Sequence, residues 1–261
     1  MTGYLGPDGS YSSVAARKLT DDDLVPFKNF RDLMYACHNG EVDAIVFPIE
    51  NSVEGAVSEC IDLLTNEVNL FVEKELLLPI CHRLYSLEGM KWEDVTDVYT
   101  HAQAAAQCRH FIEENFPRAT VHFTNSTSSA ISKVTDMNSV AIAGEQVASS
   151  LKMWPVDIMD YAQNATRFFL ARNAFHPVSG TKKFSVIFEI ENRPGGLLRA
   201  LNIFEKYDLN LTKIESRPKK SEYGRYNFLV DVEGDCMEEN SKAAIEELKE
   251  HSSFFKFIGA Y

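Results

Sequence analysis

At 261 residues, with a formal net charge of −12 and a composition 45% hydrophobic and 25% charged, the chain has room for one large or two unequal cores and the make-up of an ordinary soluble globular protein. The acidity argues against a nucleic-acid partner, whose phosphates call for a basic face that short runs such as Lys182-Lys183 and Lys219-Lys220 do not make. Five scattered cysteines without a C-x-x-C pair, no signal peptide and no bilayer-length apolar run predict reduced thiols, a cytoplasmic location and no membrane partner.

Tyr4-Leu5-Gly6-Pro7-Asp8-Gly9-Ser10-Tyr11-Ser12 reads as a strand, a glycine-rich turn and a helix start; its free N–H groups could face an anion, or the segment is only a turn. Residues 42–49 read as a buried strand and 55–64 as a helix with Val57, Ile61 and Leu64 on one face. Between them, Pro48-Ile49-Glu50-Asn51-Ser52 puts carboxylate, amide and hydroxyl groups at a strand exit, where α/β proteins build sites; a polar cap by Asn51 or Ser52 is the alternative. Residues 97–99 end another strand, and Thr100 with Gln103 fits a capping box for a helix closed by Pro117, with Gln103 and Gln107 sharing a face. His101 is either an acid-base group or a satisfied or exposed histidine.

Residues 121–123 lead into Asn125-Ser126-Thr127-Ser128-Ser129, a hydroxyl-rich stretch suited to capping the next helix. Residues 140–143 read as a short buried strand followed by a helix through Ser150. Thr166-Arg167-Phe168 opens a returning strand through Ala171. An arginine there needs a partner because its charge cannot be lost, and that partner is either an internal carboxylate or a substrate's. Asn173, His176, Pro177, Ser179 and Gly180 have linker composition and set a boundary near Gly180. Beyond it come strand 184–190, turn 192–195, helix 196–207, strands 209–216 and 226–232, helix 238–251 and strand 254–259. This βαββαβ order is ferredoxin-like.

Taken together, Gly6-Pro7-Asp8-Gly9-Ser10-Tyr11-Ser12, Pro48-Ile49-Glu50-Asn51-Ser52 with Gly55, His101-Ala102-Gln103 through Gln107-Cys108, and Asn164-Ala165-Thr166-Arg167-Phe168 closely resemble the prephenate dehydratase family. The C-terminal part resembles an ACT domain through Arg193-Pro194-Gly195-Gly196-Leu197-Leu198 and Asn210-Leu211-Thr212-Lys213-Ile214-Glu215-Ser216-Arg217-Pro218. The resemblance implies an α/β catalytic domain over 1–175, two-lobed like type 2 periplasmic binding proteins, and a βαββαβ ACT domain over 181–261. It implies decarboxylative dehydration of prephenate to phenylpyruvate, without metal or redox cofactor. Thr166, Asn51, Thr100 and Gln107 are the implied catalytic residues, and Ser10, Tyr11, Ser52, Ser126, Arg167 and Phe168 the implied substrate contacts. It further implies L-phenylalanine as effector at Gly195, Gly196, Leu197, Asn210, Leu211, Glu215, Ser216 and Arg217, between subunits of a homodimer or homotetramer. Thr100, Ala102 and Gly196 depart from the family's usual Ser, Pro and Ala. The alternative activities are arogenate dehydration and, without chemistry, amino-acid sensing.

Overall fold

The computed structural model describes residues 1–147, 149–161, 163–219 and 224–261. The first lobe opens with β1 (Thr2–Leu5), α1 (Tyr11–Leu19), β2 (Leu24–Phe27), α2 (Phe30–His38), β3 (Ala44–Asn51), the two-residue β4 (Gly55–Ala56), α3 (Ser58–Asn66) and β5 (Phe71–Pro79). The second lobe holds β6 (His82–Ser86), β7 (Asp97–Thr100), α4 (Ala102–Gln107), α5 (Arg109–Asn115), β8 (Thr120–Phe123), α6 (Thr127–Ile131), β9 (Ser139–Gly144) and β10 (Lys152–Trp154), its sheet ordered β10-β6-β9-β7-β8. The chain then crosses back as β11 (Ala165–Arg172), antiparallel between β3 and β5.

The C-terminal unit follows as β12 (Lys183–Glu189), α7 (Gly196–Lys206), β13 (Leu211–Pro218), β14 (Tyr226–Glu233), α8 (Glu239–Glu250) and β15 (Phe254–Ala260), the βαββαβ order read from the sequence. Its sheet fuses with that of the first lobe, giving the order β13-β14-β12-β15-β5-β11-β3-β1-β2, with β4 on β3. The joint is the single register pair of Gly259 with Val72. A Cβ at Gly259 would fall 2.2 Å from the Val72 carbonyl oxygen, and its φ is +143°, so only glycine lets the strands meet there.

β3 is a nearly continuous apolar run because both its faces are covered. Ile45, Phe47 and Ile49 pack with Leu33 and Met34 of α2 and Ile61 and Leu64 of α3, while Ala44 and Val46 pack with Ala15 and Ala16 of α1. Helix starts are set by local hydrogen bonds. Ser10 accepts from the Ser13 N–H and Asn29 from the Asp32 N–H, and Ser126 forms a capping box with Ser129, as the hydroxyl-rich stretch predicts.

Several expected boundaries move. The helix expected over 55–64 starts at Ser58, after Gly55 and Ala56 have paired as β4 with Asn51 and Glu50. The helix expected from Thr100 to Pro117 is capped one residue later by His101 and breaks at Cys108 into α4 and α5. Between β9 and β10 no helix lies among the described residues, where a turn runs through Glu145 and Gln146; Ala148, inside the expected helix, and Lys220 of the second basic run lie outside them. β2, α2, β5, β6 and β10 lie where no element is expected from the sequence. The five cysteines are unpaired, and among the described residues no helix is long and apolar enough to cross a membrane.

Candidate functional site

A cavity of about 480 Å³ lies where the two lobes face each other. The first lobe brings to it the β1–α1 turn with Ser10 and Tyr11, the end of β3 with Asn51 and Glu54, and Thr166 and Phe168 of β11. The second lobe brings His82, His101, Gln107 and Ser126. No lysine or arginine is among the described residues that line it. Any carboxylate bound here meets neutral donors: hydroxyls, amides and the free first-turn N–H groups of α1.

The amides form one chain whose direction can be deduced. Asn51 Oδ1 accepts from the backbone N–H of Val53 (2.9 Å) and Glu54 (3.1 Å), so the Asn51 carboxamide can face only one way. Its Nδ2 donates to Asn164 Oδ1 (2.8 Å) and to Thr166 Oγ1 (2.9 Å), with a longer contact to the Ala165 carbonyl. Asn164 is thereby oriented to donate from Nδ2 to Gln107 Oε1 (2.8 Å). Gln107 in turn donates from Nε2 to a Glu54 carboxylate oxygen (3.1 Å), and its Oε1 is also 3.1 Å from His82 Nε2. Asn51, Gln107, Asn164 and His82 are all buried. Because Thr166 accepts from Asn51, its own hydroxyl proton is left to be donated elsewhere.

Of the residues assigned from the sequence, Thr166, Asn51, Gln107, Ser10, Tyr11, Ser126 and Phe168 line this one cavity. The other three assigned residues do not line it. Thr100 is fully buried and its hydroxyl donates to the Ile142 carbonyl (2.9 Å), tying β7 to β9. Ser52 accepts from the Ala165 N–H (3.0 Å) and joins the ends of β3 and β11. Tyr11 lends the cavity its ring, while its hydroxyl accepts from the Cys81 N–H (2.9 Å) and donates to the Cys81 carbonyl. The pKa of that phenol is pushed up by burial.

Arg167 is the clear correction. It turns away from the cavity and pairs with Glu75 of β5 (2.8 Å) and Asp231 of β14, and it donates to the Tyr261 hydroxyl (2.8 Å). Ser185 donates to the other Asp231 oxygen (2.6 Å), and Lys183 reaches Glu75 (2.9 Å). The internal carboxylate is therefore the partner of this arginine, and the cluster joins the first lobe to the C-terminal unit. Asn164, Glu54 and His82 are the site residues that sequence reasoning leaves without a role. Asn164 had a signal, two residues before Thr166, and His82 had none.

In the C-terminal unit, Gly195, Gly196 and Leu197 line a second cavity of about 340 Å³ with Asn192, Arg193, Tyr226 and Phe228. A Cβ on Gly196 would fall 2.7 Å from the Glu191 carbonyl oxygen, so this turn is shaped around glycine. Asn210, Leu211, Glu215, Ser216 and Arg217 stand outside that cavity, on or just before the edge strand β13. Asn210 donates to Glu233 (2.7 Å), and Arg217 pairs with Asp62 of α3 (3.2 Å). Among the described residues no trio of His, Cys, Asp or Glu side chains is grouped as a metal site requires.

The family model for prephenate dehydratase matches residues 2–174, and that for the ACT domain matches residues 184–250. The chain is 33% identical over 271 residues to the prephenate dehydratase of Lactococcus lactis, covering 99% of this chain and 96% of that protein. It is 34% identical over 275 residues to arogenate dehydratase/prephenate dehydratase 2 of Arabidopsis thaliana, covering 99% and 71%. Among solved structures, prephenate dehydratase from Arthrobacter aurescens in complex with L-Phe superposes with a TM-score of 0.89 at 29% identity, covering all of this chain and 89% of that one.

Proposed function

The chain belongs to the prephenate dehydratase family, and from that membership and the polarity of the cleft we propose that it converts prephenate to phenylpyruvate, carbon dioxide and water. In this reaction the carbon–carbon bond to the ring carboxylate breaks, its electron pair enters the ring, and the ring hydroxyl leaves with a proton as water. Formation of the aromatic ring drives the step, so the protein's work is to hold two carboxylates and to assist the departing hydroxyl. The observation that carries the reading is the Asn51 bond to Thr166. It makes the Thr166 hydroxyl an acceptor on one side and leaves its O–H to hydrogen-bond and polarise the leaving oxygen, whose proton comes from solvent because a threonine hydroxyl is too weak an acid to give up its own. Phe168 stands beside it on the same face of β11, and Ser126 and the first N–H groups of α1 serve as neutral donors to the carboxylates, while Ser10 caps α1 and donates its hydroxyl to the Leu5 carbonyl (3.2 Å).

In this reading residues 1–175 are the catalytic domain and 181–261 a regulatory ACT domain in a cytoplasmic homodimer or homotetramer. L-phenylalanine binds between two copies of that domain. The L-Phe complex of the Arthrobacter protein supports the effector, and the exposed Leu198, Ile214 and Tyr226 of this unit suit a face that a second copy covers.

The test is to incubate the purified chain with prephenate and follow phenylpyruvate. Thr166→Val, with an unchanged circular-dichroism spectrum, is expected to cut kcat roughly 10²- to 10³-fold, about 3 to 4 kcal/mol; full turnover would remove Thr166 from the mechanism. The Arabidopsis relative's double name supports measuring kcat/KM on arogenate beside prephenate, and a higher value on arogenate would reassign the substrate.

A further inference from the structure

The amide chain that ends at Thr166 starts at a buried histidine on the crossover between lobes. Gln107 Oε1 can only accept, and it already accepts from Asn164, so the 3.1 Å contact from His82 Nε2 requires a hydrogen on that nitrogen. Nδ1 is buried without a partner among the described residues, which suits a bare ring nitrogen better than an N–H donor left unpaired. The other tautomer would set a lone pair against Gln107 Oε1 and bury an orphan N–H. The ring's place is fixed from both lobes. It meets the Tyr11 ring edge to face, with centroids 6.2 Å apart, and Tyr11 in turn holds both backbone groups of Cys81, the residue before His82.

We propose that His82 is a positioning residue for the dehydration: its Nε2–H locks the Gln107 carboxamide in the orientation that keeps the Asn164–Asn51 chain, and through it the Thr166 proton, aimed into the cleft. At the Asn51 end the lock is the two backbone N–H groups of Val53 and Glu54. At the Gln107 end it is His82 on the oxygen and the Glu54 carboxylate on the nitrogen. Without His82 one of these two holds remains, so Gln107 is loosened but not freed. Burial and the nearby His101 hold the imidazole pKa down to about 4, against the opposing pull of the Gln107 hydrogen bond, so the ring is neutral at physiological pH.

The inference rests on the proposed reaction, and the test separates the two. The full-length chain is assayed on prephenate as wild type, His82→Leu, which fills the space without a donor, and His82→Gln, which offers an amide N–H. Loss of one neutral hydrogen bond predicts a kcat for His82→Leu down about tenfold with KM within about twofold, and recovery of most of it in His82→Gln. No turnover by wild type would overturn the proposed reaction. Turnover by wild type with an equally active His82→Leu, or a His82→Gln no better than His82→Leu, would overturn the role of His82. A nitrogen-15 spectrum of histidine-labelled wild-type protein at pH 7 needs no variant to fold. A protonated Nε2 and a bare Nδ1 at His82 are expected, and the opposite tautomer sinks the proposal.

Discussion

Asn51 has two amide hydrogens and gives both to groups inside the protein, so the direction of every bond from Val53 to His82 follows from one residue. Such a chain ties chemistry to pH through its histidine. The folded-state pKa of His82 lies near 4, below its ordinary 6.5, and burial is the main cause. The unfolded chain takes up a proton there at a pH where the folded chain does not. Stability from this group is therefore full above about 6.5 and is lost as pH falls from 6.5 toward 4, by about 3 kcal/mol in all. Urea unfolding of wild type and His82→Gln in parallel cancels the carboxylates common to both. Wild type should lose roughly that much relative to the variant between pH 7 and pH 4, and a constant difference across the range would refute the assignment. Asn51, Gln107 and Thr166 are marked in the sequence by the family motifs they stand in, since position alone leaves Asn51 at a strand exit as good a helix cap as a site residue. His82 is not marked, since a lone histidine in a strand looks the same in any core. Thr100 was misread because a strand-end threonine and a helix cap share one spacing, and its hydroxyl found the carbonyl of Ile142 across the sheet instead.

At the scale of one strand, β11 explains why the side chains of Thr166-Arg167-Phe168 do not all face one cavity. Side chains along a strand alternate between faces, so Thr166 and Phe168 reach the cavity and Arg167 points away from it, even with the register shift between Arg167 and Phe168. The alternation was available in the sequence; what was missing was which carboxylates would wait on the far face, because Glu75 and Asp231 are distant along the chain. The placement sets an expectation opposite to that for a substrate-binding arginine. Arg167→Met leaves Asp231, whose side chain is 1% exposed, without its cation, and breaking a buried pair from one side costs about 3 to 5 kcal/mol. Chemical denaturation of the variant should show a loss of that size, while KM for prephenate in the folded enzyme stays within about twofold. A KM raised tenfold or more with unchanged stability would return Arg167 to the cleft.

Across the whole molecule, the order of the C-terminal elements could be read in the sequence, but its fusion with the first lobe could not, because a single backbone approach at Gly259 makes the joint. That fusion places ion pairs beside the strands that carry Thr166 and Asn51. Thr166 and Asn51 are register partners, and the next rung is Arg167 with Glu50. Arg167 is held by Asp231, and Glu50 by Lys213 of β13 at 2.7 Å. Lys213 lies on β13 between Leu211 and Glu215, two residues assigned to the effector, yet its amine contacts the carboxylate next to Asn51. An effector that moves β13 relative to the first lobe therefore acts on the strand end that orients Thr166, at the 1 to 3 kcal/mol scale typical of coupled sites. Lys213→Met removes that link without touching the cavity. Its kcat/KM in the absence of L-phenylalanine should stay within about twofold of wild type, and calorimetry should still register binding of the amino acid, while inhibition weakens roughly fivefold or more. Wild type indifferent to L-phenylalanine would defeat the regulatory reading itself. Wild type and variant inhibited alike would leave regulation standing and assign its transmission to another contact, of which the Arg217 pair with Asp62 is the next along the same strand.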